Sequence, residues 1–366
     1  MAAGNPVSGA SPSLAQGCAT NYQPGNVGRS ASPLVVDLCC GMGGLSLAAR
    51  DLGMRILAGV DVNTQAARTF GKNFPEAEFV QGSVRSLKAL RRCSDLLRPF
   101  NGVSVPFVVV SGPPCQGFSV AGSRDPVDPR NQIIVAVARA ITELQPHCAL
   151  IENVSAVLTE RHANRVDNFE STLANGGYFI YSLVLDAVDF GVAQKRKRAF
   201  FLITRKKLHE DQIQNHLSRF KRAELSVEAA LQGLPVPLVR PDDYDDEKDY
   251  GKLHNHFAMR HSKRVMDKIA ALEPGTGPMS YRKLHPSRPA KTLFSGHRAP
   301  PAHFQQPRSI TVREAARLQG FPDCFRIYGS FGNQMQQVTN AVPPPLAKVV
   351  LHVLAELVGL SVLAYA

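Results

Sequence analysis

Between residues 34 and 204 short apolar runs alternate with helix-length amphipathic stretches, and that alternation leaves the chain few architectures. Leu34-Val35-Val36-Asp37-Leu38 reads as a buried strand, followed by a helix over 44–52. The pattern repeats as a strand at 56–61 with a helix at 64–73, then a strand at 78–81 with a helix at 84–97. A strand at 107–111 precedes a long loop and a helix at 132–144, and a strand at 148–152 precedes a helix at 164–174. Strands at 178–188 and 198–204 close the series. Strands alternating with helices predict an α/β fold with a doubly wound parallel sheet. The near-continuous apolar runs Phe107-Val108-Val109-Val110 and Ala149-Leu150-Ile151 suit strands covered on both faces.

The length of 366 residues allows two domains, or one large α/β domain with an insertion. Residues 1–32, rich in Ala, Ser, Gly, Pro and Asn, read as a disordered tail. Residues 33–205 form the main domain. From 206 to 310 the periodicity gives way to an acidic run (242–247), clustered His and Arg, and many Pro and Gly, which reads as a smaller, irregular domain. Residues 311–366 close the chain. There Thr311 and Glu314 form a capping box for a helix over 311–319, and a helix at 344–358 is expected to pack back on the main domain.

Lys plus Arg is 42 against 30 for Asp plus Glu, a net charge of +12, which favours a polyanionic partner such as nucleic acid over a merely basic protein. No apolar run approaches the roughly 20 residues that span a bilayer, and the first residues lack the basic and apolar regions of a secretory signal. No membrane association is expected. Seven cysteines without a CxxC pair point to a reducing compartment, and no His/Cys spacing resembles a metal site.

Four segments carry chemical signals. Asp37-Leu38-Cys39-Cys40-Gly41-Met42-Gly43-Gly44 lies between a strand and a helix, where glycines admit a close ligand and a helix start offers N–H groups. Asp61 ends the next strand, suited to ribose hydroxyls. A tight structural turn is the alternative. The pattern is not G-x-G-x-x-G, which disfavours a dinucleotide and fits S-adenosylmethionine, a nucleoside without pyrophosphate. Gly112-Pro113-Pro114-Cys115 follows the fourth strand, at the end of the sheet where ligands bind. Rigid placement there suits a nucleophile, though a free structural cysteine is an equal reading of that segment alone. Glu152 and Asn153 close the fifth strand; a proton donor is one reading, a helix cap or a surface salt bridge the other. In Gln194-Lys195-Arg196-Lys197-Arg198, period two puts Gln194, Arg196 and Arg198 on one face. The alternatives are a solvated charge run and a nuclear-localisation patch.

Taken in order, DLCCGMGG (37–44), GPPCQGFS (112–119), ENV (152–154), QKRKR (194–198), RPAKTL with REAARLQGFP (288–322) and GNQMQQVTNAVPP (332–344) resemble the DNA (cytosine-5) methyltransferase family. The resemblance covers most of 34–355. It implies a methyltransferase fold of Rossmann type with S-adenosylmethionine as cofactor, acting as a monomer on double-stranded DNA, with 206–310 as the target-recognition domain. It implies Cys115 as the nucleophile on carbon 6 of the cytosine ring, Glu152 on ring nitrogen N3, and Arg196 and Arg198 holding the base, its phosphate or a loop. It places the cofactor on Asp37, Cys39, Gly41, Gly43, Gly44, Asp61, Val62, Ser83, Val84, Pro114, Asn340 and Ala341. Expected DNA contacts are Gln116, Ser119, Arg124, Gln194, Arg282, Lys283, Arg288, His297 and Arg298. The target base must flip out to reach Cys115, and the loop 117–130 is expected to close over DNA. The expected location is the bacterial or archaeal cytoplasm, at the nucleoid, or the nucleus of a eukaryote. Two positions depart from the family: Cys39 stands where an aromatic residue is usual, and Ser83 where an Asp is usual.

Three other readings compete. A tRNA cytosine methyltransferase of the same fold usually carries CFT after the nucleophile region, absent here. A catalytically silent DNA-binding protein has no need of the Cys115, Glu152 and Arg198 set. A thiol-dependent oxidoreductase lacks a resolving cysteine near Cys115 and a dinucleotide fingerprint.

Overall fold

The alternation of apolar runs and amphipathic stretches produces the expected layers in a computed structural model, which describes residues 32–114, 132–246, 248, 253–278, 281–294 and 300–365. The elements run β1 (Leu34–Leu38), α1 (Gly44–Asp51), β2 (Arg55–Asp61), α2 (Thr64–Asn73), β3 (Glu78–Gln81), α3 (Leu87–Leu97), β4 (Phe107–Ser111), α4 (Ile133–Leu144) and β5 (Cys148–Val154). They continue as α5 (Ala163–Asn175), β6 (Phe179–Asp186), β7 (Gln194–Lys195) and β8 (Lys197–Thr204). Through the irregular region they are α6 (Glu210–Ser218), α7 (Val227–Leu231), β9 (Leu238–Val239), β10 (Phe257–Ala258), α8 (Lys263–Ala270) and β11 (Ala290–Lys291). The last three are α9 (Val312–Leu318), α10 (Phe331–Asn340) and α11 (Pro344–Val358).

Seven strands form one sheet in the order β3-β2-β1-β4-β5-β8-β6. Both faces are buried, and alternate residues of each strand serve opposite cores. Val35, Val110 and Leu150 pack with α1 and α11 on one face, while Val36, Val109 and Ile151 pack with α4 and α5 on the other. Each fully buried Val or Leu contributes roughly 1.5–3 kcal/mol relative to exposure. The sheet is not parallel throughout, as the alternation suggested. Strands β1 to β5 are parallel, but β8 runs antiparallel to both β5 and β6. The cause is connection length. Only a short helical turn (Ala187–Phe190) and β7 separate β6 from β8, too little for a crossover helix.

Element ends shift where side chains cap the backbone. The third helix starts at Leu87 rather than 84, because Ser86 accepts from the backbone N–H of Ala89. The Ser83 hydroxyl takes the N–H of Arg85, which leaves Ser83 and Val84 in a turn. Helix α10, for which the sequence carries no evident periodicity, is capped by Ser330. The capping box at Thr311 and Glu314 is present as read. Helix α11 packs along α1, and β11 pairs with β7, strapping the irregular region to the sheet. The stretch Phe331–Val358 is apolar and long enough to cross a membrane by composition, yet 72% of its most apolar window is buried inside the protein.

A buried polar cluster holds the start of α9. Arg308 donates to both oxygens of Glu314 at 2.6 and 2.8 Å, and the His303 ring lies 3.8 Å from the same carboxylate. His303 Nδ1 accepts the backbone N–H groups of Gln305 and Gln306, so that nitrogen carries no proton. Burial, with Arg308 and His256 nearby, pulls His303 down from 6.5 to about 4, against the pull of Glu314. Glu314 itself is held below its usual value by its hydrogen bonds and by Arg308, outweighing burial. A depressed histidine and a depressed carboxylate lose stability in the same direction. Their contribution is present near neutrality and is lost as pH falls, for His303 between 6.5 and about 4. The melting temperature is expected to fall across that window, and His303→Asn, whose side-chain oxygen can take the same two N–H groups, to blunt the fall. Identical melting profiles for parent and variant would remove His303 from this account.

Candidate active site

A cavity of about 490 Å³ opens at the carboxyl ends of β1, β2, β4 and β5, within the size range of small-ligand sites. Its floor is the glycine turn. Cys39 and Gly41 adopt left-handed backbone conformations, with φ of 58° and 52°. A side chain on Gly41 would project into open space, so its absence leaves room for a ligand. Gly44 is needed for packing, since a Cβ there would lie 2.4 Å from the carbonyl oxygen of Val342. Gly44→Ala must therefore push the α10–α11 junction away from the turn. The expected result is about 2 kcal/mol less stability and about tenfold weaker binding of S-adenosylhomocysteine, read by thermal melting and calorimetry. Unchanged values in both would mean that this junction yields freely.

Asp61 shapes the turn from the side. One carboxylate oxygen accepts the N–H of Gly41 at 2.8 Å and the other that of Asn63 at 2.9 Å. Asn63 in turn caps α2. From the interior of the sheet, between β4 and β8, β5 delivers Glu152 into the cavity, where Arg198 Nε meets Glu152 Oε1 at 2.8 Å. Burial raises the Glu152 pKa, and the two arginines 198 and 196 offset only part of that rise. Asn153 donates to the carbonyl of Pro113 at 3.4 Å and so ties β5 to the Gly112-Pro113-Pro114 segment, which lines the same cavity. Arg196 is fully buried and donates to the carbonyl of Ala341 at 3.0 Å, closing the wall between the 194–198 run and the end of α10. The period-two reading of that run holds: Gln194 and Arg196 are buried and Lys195 and Lys197 exposed.

Of the residues expected at the cofactor, Cys39, Gly41, Gly44, Asp61, Val62, Ser83, Val84, Pro114, Asn340 and Ala341 line the cavity. Two do not. Asp37 is fully buried beneath the turn, where its carboxylate accepts the Ser46 hydroxyl at 2.6 Å and burial lifts its pKa to about 7. Gly43 faces the Phe70 and Phe74 rings, where a Cβ would lie 2.4 Å from Phe74. Both serve the turn from behind. Two expected DNA contacts are turned inward as well. Gln194 is fully buried and accepts the Leu293 N–H, and Lys283 donates from Nζ to the Leu272 carbonyl at 2.8 Å. Arg288 is exposed and Arg282 half-buried. Cys115, Gln116, Ser119, Arg124, His297 and Arg298 lie outside the described residues, as does the whole loop 117–130.

Sequence reasoning missed the amide-rich wall formed by Gln65 on α2 with Asn333, Gln336 and Gln337 on α10. The Asn63 cap was a local signal for the first; for α10 the block 332–344 was the signal, though no periodicity marked the helix, because its buried face mixes glutamines with apolar residues. Among the described residues no cluster of His, Cys, Asp and Glu is arranged to hold a metal ion.

The cavity fits a nucleoside cofactor. It has the volume, a glycine floor kept free of side chains, and the N-terminus of α1 beside it without an acidic residue in the first turn. Sheet and cavity together define an α/β enzyme of the nucleoside-cofactor class, with a buried carboxyl group and an arginine paired in the cavity wall. The family profile of C-5 cytosine-specific DNA methylase matches residues 34–356. The chain is 31% identical to the Type II methyltransferase M1.HphI of Haemophilus parahaemolyticus, over 86% of this chain and 84% of that protein. It is 28% identical to the Type II methyltransferase M.DdeI of Desulfomicrobium norvegicum, over 86% of each. A crystal structure of a putative DNA modification methyltransferase encoded within an E. coli prophage matches 90% of this chain and 100% of its own, with a TM-score of 0.73 and 28% identity. The chain belongs to the C-5 cytosine-specific DNA methylase family, whose members use S-adenosylmethionine.

Proposed function

We propose that this enzyme transfers a methyl group from S-adenosylmethionine to carbon 5 of a cytosine extruded from duplex DNA, through a covalent bond to Cys115. The observation that carries the reading is the shared cavity. The Glu152–Arg198 pair and the Gly112-Pro113-Pro114 segment leading to Cys115 line the same space as the glycine turn. Residues 41, 44, 61, 83, 340 and 341 are those that would hold the cofactor. When bound, it supplies an electrophilic methyl group.

Carbon 5 of cytosine is a weak nucleophile. The Cys115 thiolate adds to carbon 6, forming a sulfur–carbon bond and moving the ring electrons toward carbon 5 and N3. Glu152, whose burial favours its protonated form, gives its proton to N3 and removes the charge that would oppose addition. Arg198 fixes the Glu152 carboxyl in place through Nε, rests Nη1 on the Lys197 carbonyl at 2.8 Å, and would present Nη2 to the base. Once carbon 5 carries the methyl group, its proton leaves to a base, the carbon 5–carbon 6 double bond re-forms as the bond to Cys115 breaks and the thiolate departs, and N3 returns its proton to Glu152. A stacked base cannot reach the thiol, so the cytosine is flipped into the cavity. The basic surface of 206–310, with Arg288 exposed, would take phosphates and base edges. As a Type II modification enzyme, like its relatives, it would act at the nucleoid of a bacterial cytoplasm.

The test is a duplex carrying 5-fluorocytosine, incubated with S-adenosylmethionine and the full chain, at sites mapped by bisulfite sequencing of the expression host's DNA. Fluorine cannot leave as a proton does, so a stable protein–DNA adduct is expected, with no adduct on tRNA. Methylated sites in the host without any trapped adduct would overturn the covalent route.

A further inference from the structure

The acidic run beginning at Asp242 holds one residue unlike its neighbours. Asp242, Asp243 and Asp245 are exposed, whereas the Asp246 side chain is 11% exposed against 86% for Asp242. Its two oxygens join separate parts of the chain. Oδ1 accepts Arg68 Nη2 at 2.7 Å, and Oδ2 accepts the backbone N–H of Gly329. Arg68 lies on α2, one turn beyond Gln65 and Ala66 in the cavity wall. Gly329 leads into Ser330, the cap of α10, whose Asn333, Gln336 and Gln337 form another part of that wall.

The joint is reinforced on both sides. The Arg68 guanidinium sits 5.0 Å over the Tyr328 ring. The Tyr328 N–H donates to Thr69 Oγ1 at 3.0 Å, and its carbonyl accepts from Gln337 at 2.8 Å. From the other direction, the Tyr244 ring packs on Phe257 of β10 with centroids 5.0 Å apart, and the Arg240 N–H donates to Ala258. An exposed ion pair would contribute little. This carboxylate is mostly buried and holds a backbone N–H as well, so both walls of the cavity and the 242–246 stretch meet at this side chain.

We propose that Asp246 is a positioning residue that couples the cofactor cavity to the target-recognition region. Ordering of α2 and α10 around bound cofactor passes through this carboxylate to 238–246 and β10. By linkage, DNA held by that region returns the same free energy to cofactor binding. The inference rests on the reading that the cavity takes S-adenosylmethionine.

The experiment is hydrogen–deuterium exchange on the full chain with and without saturating S-adenosylhomocysteine, alongside calorimetric affinity. In the parent protein the ligand is expected to slow exchange over 41–47 and, about fivefold or more, over 238–246 and 253–258. In Asp246→Asn at saturation, the slowing over 41–47 remains and that over 238–258 is lost. Its affinity falls about tenfold, while Asp243→Asn behaves as the parent. If Asp246→Asn does not fold, Arg68→Met removes the same pair from the other side. Equal slowing over 238–258 in parent and variant overturns the coupling, as does none there in a parent that binds. A parent that does not bind the ligand at all sinks the cofactor reading, and this inference with it.

Discussion

Cys115→Ala is expected to bind S-adenosylhomocysteine as the parent does and to lose turnover by about four to six orders of magnitude. The asymmetry follows from the chemistry. No other group can replace a thiolate that must both add to an electron-rich aromatic ring and leave it afterwards. Binding is a separate matter, because the cavity walls that would hold the cofactor come from the glycine turn, Asp61, the 82–84 turn and α10. Steady-state methyl incorporation into duplex DNA and calorimetry with S-adenosylhomocysteine give the two numbers. Residual turnover within about tenfold of the parent would end the covalent proposal, whatever the adduct experiment shows. Loss of both activity and binding would instead mean that residue 115 supports the cavity wall beyond Pro114.

How far such a site could be read from sequence depended on how local its causes are. Strands β3 and β4 and helices α2 and α11 fall where the pattern put them, since burial on both faces of the sheet and end caps are written in neighbouring residues. The strand-end positions of Asp61 and Glu152 were legible for the same reason. A carboxylate closing an apolar run has few structural uses. The direction of β8 was less legible, because it is set by the length of a connection rather than by the strand's own residues. The inward turn of Asp37, Gly43, Gln194 and Lys283 was not legible at all. Gly43 and Gln194 answer to partners far away in sequence, Phe74 and Leu293, and Asp37 and Lys283 to groups outside their own elements, Ser46 and the Leu272 carbonyl. Asp246 shows the same limit from the opposite side. In sequence it is one aspartate in an acidic run; in the fold it pairs with a helix residue 178 positions away.

Glu152→Gln is expected to lower kcat by about 10²–10⁴ and to change the shape of the pH profile. Glutamine keeps the volume and can still donate a hydrogen bond to N3, but it has no proton to give up. The parent needs a deprotonated Cys115 and a protonated Glu152, so its profile should be bell-shaped, falling at low pH with the thiol and at high pH with the carboxyl. Burial raises the Glu152 pKa and so extends the protonated form upward, while Arg198 at 2.8 Å opposes that rise. Removing Glu152 should erase the alkaline limb and leave the acidic one. Arg198→Met removes the opposing cation, so the carboxyl keeps its proton to higher pH and the alkaline limb should move upward even as overall turnover falls. These two shifts have different shapes, which a structural defect common to both variants would not produce. An alkaline limb that persists unchanged in Glu152→Gln would assign it to another group, and Glu152 would then act through hydrogen bonding alone.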